Sequence, residues 1–312
     1  MNPTMDTARL DALPAAPQWS YEQAFKRNIG LITPAEQQRL RKVRVAIAGM
    51  GGVGGMHLAA LARLGIGKFT IADPDIFESV NTNRQYGAMV SNYGRLKSEV
   101  MRDILLDINP EAEVRVFSGP IGPENATAFL DGADIFIDGI EIFELNLRRL
   151  LFRQAQEQGA HALSAGPFAF STGWVIFEPR GMSFDHYFDF NDHMNDTEKF
   201  AAFFTGMAPA NTHRGCIDMD YVSVHQHTAP AVGFACHLAS GVMGGEVMKI
   251  ILGRGRVYGA PYFHQFDIYK NLYVRRRLWG GNRNPVQRYK RRQLVSSLNR
   301  MAMESGPGKS AG

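Results

Sequence analysis

The stretch AGMGGVGGMHLAALARLGIGKFTIAD, residues 48–73, joins an apolar run to a helix-forming segment through five glycines and ends on an acid. Residues 43–49 read as a buried strand, 54–64 as a helix and 68–73 as a second strand. Gly49, Gly51 and Gly54 stand in the spacing that lets backbone turn tightly and present N–H groups to phosphate at a helix N-terminus, with Gly52 in the same loop. Asp73 follows Gly54 by 19 positions, where an acid at the end of a second strand holds ribose hydroxyls. Taken alone, these features favour NAD.

Outward from this stretch, strand and helix patterns alternate: helix 98–108, strand 113–117, strand 134–138, helix 143–158 and strand 161–165. Such alternation implies right-handed crossovers and a doubly wound, mainly parallel α/β sheet of Rossmann type. After Gly166 the pattern changes. Strands at 170–177, 262–267 and 272–278 surround a segment, 180–228, that reads as irregular, which predicts an antiparallel extension of the same sheet.

The segment DPDIFESVNTNRQYG, residues 73–87, alters the reading of the glycine loop. It puts Asp75, Asn81, Asn83, Arg84 and Gln85 beyond a strand's carboxyl end, where open α/β sheets bind ligands, and Lys97 opens the next helix. Hydride transfer has no need of an Arg and a Lys converging on phosphates. Cleavage of a phosphoanhydride does, because charge accumulates on the α-phosphate and the departing pyrophosphate.

Together AGMGGVGG, IADPD, VNTNRQ, the GRLK of residues 94–97 and the INP of 108–110 resemble the ThiF/MoeB/HesA group related to ubiquitin-activating E1 enzymes. The resemblance is strong over residues 21–166 and weaker over 228–285. It implies a single E1-like domain over 19–292: a nucleotide half at 41–166, a variable substrate region at 168–228, and a C-terminal helix and strands at 229–292. Residues 1–18 and 293–312 read as flexible arms.

The activity implied is ATP-dependent adenylation of a carboxylate, giving an acyl adenylate and pyrophosphate. By resemblance Asp73 binds ribose, Asn81 and Arg84 the phosphates or the attacking carboxylate, and Lys97 the phosphates. Arg27 matches an N-terminal Arg that reaches the partner's ATP in a homodimer. The substrate implied is the C-terminus of a peptide, of a ubiquitin-like protein or of a sulfur carrier, or a carboxylate on a modified tRNA base. An NAD-dependent oxidoreductase and a non-catalytic E1-like scaffold stay open as alternatives.

Two departures from the family stand out. Its Asp-x-x-Asp-Asn box, which helps to hold magnesium, here reads DGIEI, residues 138–142, so Mg2+ would fall to Glu141 or Asp138. Paired Cys-x-x-Cys motifs are lacking and no zinc is expected. Of the two cysteines, Cys216 beside His213 and Arg214 is the candidate for a thioester or persulfide, whereas Cys236 reads as core. His186, His193, His213, His225 and His227 lie among aspartates without compact ligand spacing and read as scattered histidines.

Composition bounds the remainder. At 45% hydrophobic and 21% charged residues the chain can build a core, and the first eighteen residues carry no secretory apolar run, so a cytoplasmic location is expected. The apolar stretch 229–252 contains His237, Glu246 and Lys249 and reads as a buried helix, with no membrane association. Nine of the 34 basic residues crowd into 268–292 without one acid. That segment reads chiefly as a sheet edge, with nucleic acid or an acidic carrier as the other partners it suits.

Overall fold

The computed structural model describes residues 18–218, 221–223 and 228–304, with the side chains of 301–304 left aside. The strands are β1 (Arg44–Ala48), β2 (Lys68–Ala72), β3 (Glu113–Phe117), β4 (Ile135–Asp138), β5 (His161–Phe168), β6 (Ser171–Phe177), β7 (Tyr262–Asp267) and β8 (Leu272–Arg277). They form one sheet in the order β3-β2-β1-β4-β5-β6-β7-β8. Pairing is parallel from β3 to β5 and antiparallel from β5 to β8. The doubly wound half and its antiparallel extension are thus as the sequence predicts.

The helices are α1 (Tyr21–Ala24), α2 (Pro34–Lys42), α3 (Gly54–Leu64), α4 (Lys97–Ile108), α5 (Ala126–Leu130), α6 (Leu145–Glu157), α7 (Phe184–Phe188), α8 (Asp196–Met207), α9 (Gly233–Leu252) and α10 (Pro285–Glu304). Two apolar clusters occupy opposite faces of the sheet. One joins β1 and β2 to α3, α4 and α9, and the other joins β4 to β6 with α5, α6 and the aromatic side chains of α7 and α8. Strands buried on both faces explain the unbroken apolar runs. Helix α9, long and apolar enough to span a membrane, packs here on α3 and β5, and Ser240 Oγ donates to Met56 O at 2.8 Å.

Two expectations need correction. Within the segment read as irregular, α7 is capped by Ser183 and α8 by a capping box in which Asn195 and Glu198 bond each other's backbone N–H. Phe184, Tyr187, Phe188, Phe200 and Phe203 then supply a buried aromatic layer. The tail expected from residue 293 is instead the continuation of α10 to Glu304, because Leu298 is buried and Leu294 packs on the same cluster. Residues 1–17 and 305–312 of the two expected arms lie outside the described residues.

Candidate functional site

A cavity of about 990 Å3 opens at the carboxyl ends of β1, β2, β4 and β5. Its position is the crevice where strand order reverses between β1 and β4. Gly49, Gly51, Gly52, Asp73, Asp75, Arg84, Gln85, Lys97, Asp138 and Glu141 all line it, so most of the sequence-predicted residues converge.

The glycine loop is shaped by two different needs. Gly49 has φ +88, and a Cβ there would lie 2.1 Å from Gly139 O, while a Cβ on Gly54 would lie 1.8 Å from Gly49 O. These two glycines therefore permit backbone to pack on backbone, and Gly54 is not part of the cavity wall. A Cβ on Gly51 would meet only the Gln85 side chain and one on Gly52 only those of Cys236 and Arg84, none nearer than 3.5 Å. The N–H groups of Gly51, Gly52 and Val53 have no acceptor among the described residues and lie at the N-terminus of α3, where the helix dipole favours an anion. Nearby, Gln85 Oε1 is buried without a hydrogen-bond partner among the described residues. Orphaned donors and an orphaned acceptor around one crevice fit a polyphosphate nucleotide.

Asp73 locks the loop to β2. Met50 N–H donates to its Oδ2 at 2.6 Å and Asp75 N–H to its Oδ1 at 2.8 Å. Burial pushes its carboxyl pKa up, against the pull of these bonds and of Lys97. Lys97, 7% exposed, places Nζ 3.0 Å from Asp75 Oδ2. Arg84 is oriented by bonds from Nη1 to Val80 O and Asn83 Oδ1, each 3.0 Å. Both cations thus reach the crevice without a buried counter-ion.

Besides Gly54, three predicted residues stand elsewhere. Asn81 is outside the lining: it closes the turn over Ser79–Asn81, its Oδ1 accepting from Glu78 N–H. Arg27 sits exposed on the turn Lys26–Asn28, away from its own chain's cavity. Cys216, in a turn, does not line it either. Asp138 does, but its carboxylate is engaged: Arg148 Nε donates to Oδ2 at 2.8 Å, Ser164 Oγ to Oδ2 at 2.6 Å and Ile140 N–H to Oδ1 at 3.1 Å. A guanidinium at that distance opposes a divalent cation. Besides Asp75, which pairs with Lys97, the exposed carboxylates on the wall are those of Glu141 and Glu144, the last not singled out by sequence. Among the described residues no three His, Cys, Asp or Glu side chains converge as a metal centre. His225 and His227 lie outside the described residues.

Sequence reasoning misses three other wall residues. Arg148 also bonds Ile140 O and lies 4.3 Å from the Phe203 ring centroid, and Ser164 completes the Asp138 network. Cys236, assigned to the core, faces the loop: its Sγ is 3.5 Å from where a Gly52 Cβ would stand, and burial pushes the thiol up to about 11. No local pattern marks these residues. The far wall is apolar, with Phe168, Phe203 and Met207.

The ThiF family is matched over residues 25–287. The chain is 42% identical over 123 residues to tRNA threonylcarbamoyladenosine dehydratase of Haemophilus influenzae, covering 39% of this chain and 47% of that protein. It is 27% identical over 219 residues to the probable adenylyltransferase/sulfurtransferase MoeZ of Mycobacterium tuberculosis, covering 70% of this chain and 50% of that one. The chain spans about half the length of these curated relatives. Among solved structures, E. coli MccB with ATP aligns with a TM-score of 0.62 at 17% identity, over 85% of this chain and 73% of that one, a likeness of fold.

Proposed function

The chain belongs to the ThiF family, and from that premise we propose that it is an ATP-dependent adenylyltransferase acting on a carboxylate. The observation that carries this reading is the convergence of Arg84, Lys97 and the unpaired amides of Gly51, Gly52 and Val53 on one crevice. A substrate carboxylate, already ionised at neutral pH, attacks the α-phosphorus of ATP. A P–O bond forms, the bond to the pyrophosphate oxygen breaks, and acyl adenylate and pyrophosphate result. No general base is required. Positioning and charge neutralisation by Lys97, Arg84 and the loop amides lower the barrier.

Magnesium, when bound with ATP, neutralises phosphate charge, and Glu141 with Glu144 are the side chains that would hold it beside the nucleotide. Asp138 instead holds the loop of residues 139–142 through Arg148. Arg27, exposed and remote from its own cavity, suits a role in a homodimeric partner's site.

The carboxylate belongs to a peptide, to a ubiquitin-like or sulfur-carrier protein, or to a modified tRNA base like that handled by the dehydratase relative. A cytoplasmic location accords with such substrates. Calorimetric titration with MgATP and with NAD, followed by carboxylate-dependent pyrophosphate exchange, tests the reading. Micromolar MgATP binding weakened in Arg84→Ala supports it. NAD binding instead points to the oxidoreductase. MgATP bound without exchange, and indifferent to Glu141→Ala, points to a scaffold.

A further inference from the structure

Strand β8 forms one edge of the sheet, and five of its six residues are exposed. In-register partners share a face, so Arg275 lies beside His264 and Trp174, Arg277 beside Tyr262, and Tyr273 beside Phe266. On this face arginines and rings alternate. The Arg275 guanidinium lies 3.9 Å and that of Arg256 4.7 Å from the Tyr258 ring centroid, and Arg277 lies 4.0 Å from that of Trp279. Tyr273 and Trp279 remain 53% and 66% exposed.

None of Arg256, Arg275, Arg276 and Arg277 has a carboxylate within ion-pairing distance among the described residues, whereas Arg283 and Arg291, further along the same basic segment, both pair with Asp189. Arg256, Arg275 and Arg277 are exposed and each lies within cation–π distance of a ring, which leaves guanidinium N–H donors available to a ligand. An acidic protein surface would satisfy the charge but leave the half-exposed rings unused. A single-stranded nucleic acid uses both, with phosphates on the guanidinium edges and bases on the rings.

We propose that the face carrying Arg256, Arg275, Arg277, Tyr273 and Trp279 is a binding site for single-stranded nucleic acid. The site goes beyond adenylation and does not depend on it. Its track leads toward the cavity all the same: β8 begins at the end of the sheet where β5 ends, and the intervening turn sets Tyr269, 70% exposed, against Phe170 and through it Phe234.

The test is fluorescence anisotropy of labelled oligouridine titrated with the full chain across a salt series, with labelled polyglutamate as the competing probe. Far-UV circular dichroism and thermal unfolding check that each variant folds. The wild-type chain should bind oligouridine and bind polyglutamate more weakly. The double variant Arg275→Ala, Arg277→Ala should weaken RNA binding about tenfold or more. Its slope of log K against log salt should fall by about 1.4, the single-strand value for two lost phosphate contacts. Trp279→Ala, at an exposed position, should weaken RNA binding without changing that slope. Equal affinity for polyglutamate, failure to bind RNA at low salt, or RNA affinity unchanged in a folded double variant or in Trp279→Ala overturns the proposal. MgATP titration of the same proteins reads the adenylation site separately, so either reading can fail alone.

Discussion

Arg148 and Asp138 make an ion pair sealed from solvent: Nε stands 2.8 Å from Oδ2, and each side chain is 3% exposed. Such a pair gives little net stability while whole, but removing one partner strands a buried charge. Arg148→Ala should therefore cost roughly 3–5 kcal/mol, towards the lower figure because Ser164 and Ile140 still donate to the carboxylate. Urea unfolding measures it. A loss within error of zero would mean that water reaches the carboxylate once the guanidinium is gone.

Among the described residues the Lys97 ammonium pairs only with the exposed Asp75, so its removal leaves no buried charge behind. Lys97→Ala should keep the fold and weaken MgATP binding by about tenfold to a hundredfold, the range for a hydrogen bond to a charged group. Calorimetry gives the ratio directly, and an unchanged Kd would remove Lys97 from the phosphate site.

Gly49 and Gly51 should respond in opposite ways to the same methyl group. Gly49→Ala combines a positive φ with a contact of 2.1 Å to Gly139 O, and it should unfold the chain or destabilise it by about 3 kcal/mol or more. Gly51→Ala meets nothing nearer than 3.5 Å, so it should melt like the parent while binding MgATP less well. Thermal melts with and without nucleotide separate the two.

His57 is fully buried and His213 is 8% exposed. Burial holds each imidazole pKa down at about 4, below the ordinary 6.5. The unfolded chain then binds the extra protons, so stability is full above about pH 6.5 and is lost as pH falls toward 4, by about 3 kcal/mol for each histidine. Urea midpoints measured from pH 7 to pH 4 should fall accordingly. In His57→Gln the fall should be about half as large.

Cys216 is half-buried in a turn away from the cavity, whereas Cys236 lies in its wall. A thiol reagent at neutral pH should label Cys216 first, since burial keeps Cys236 in the thiol form. Cys216→Ala should leave pyrophosphate exchange unchanged, because adenylation needs no thiol there. A loss of exchange would bring Cys216 into the first half-reaction.

What could be read in advance follows from range along the chain. Helix α3 and strands β3 and β7 have the limits their apolar runs and flanking glycines or prolines suggest. Arg84, Gln85, Asp75 and Lys97 were legible because they fall within one short excursion after β2, so their neighbourhood in space repeats their neighbourhood in sequence. Arg148, Ser164, Phe203 and Cys236 arrive from four separate elements, and no spacing rule links them. Helix α8 was obscured by an aromatic run that matches neither period, although Asn195 and Glu198 form a capping box visible in the sequence. Helix α10 was hidden by its arginines, since only its tertiary contacts distinguish a basic amphipathic helix from a solvated tail.

The packing of α9 against the glycine loop has a consequence for synthesis. Cys236 abuts Gly52, and Gly233 sits so close to Asn83 O that a Cβ there would lie 2.7 Å away. A nascent chain that has emerged only as far as β5 already carries the loop, Asp73, Arg84 and Lys97, but its crevice lacks the part of the wall that Cys236 and residues 228–231 contribute. On the proposed function, a fragment that ends in the variable region bears every recognisable motif of the site, yet its glycine loop stands without the helix that packs against it.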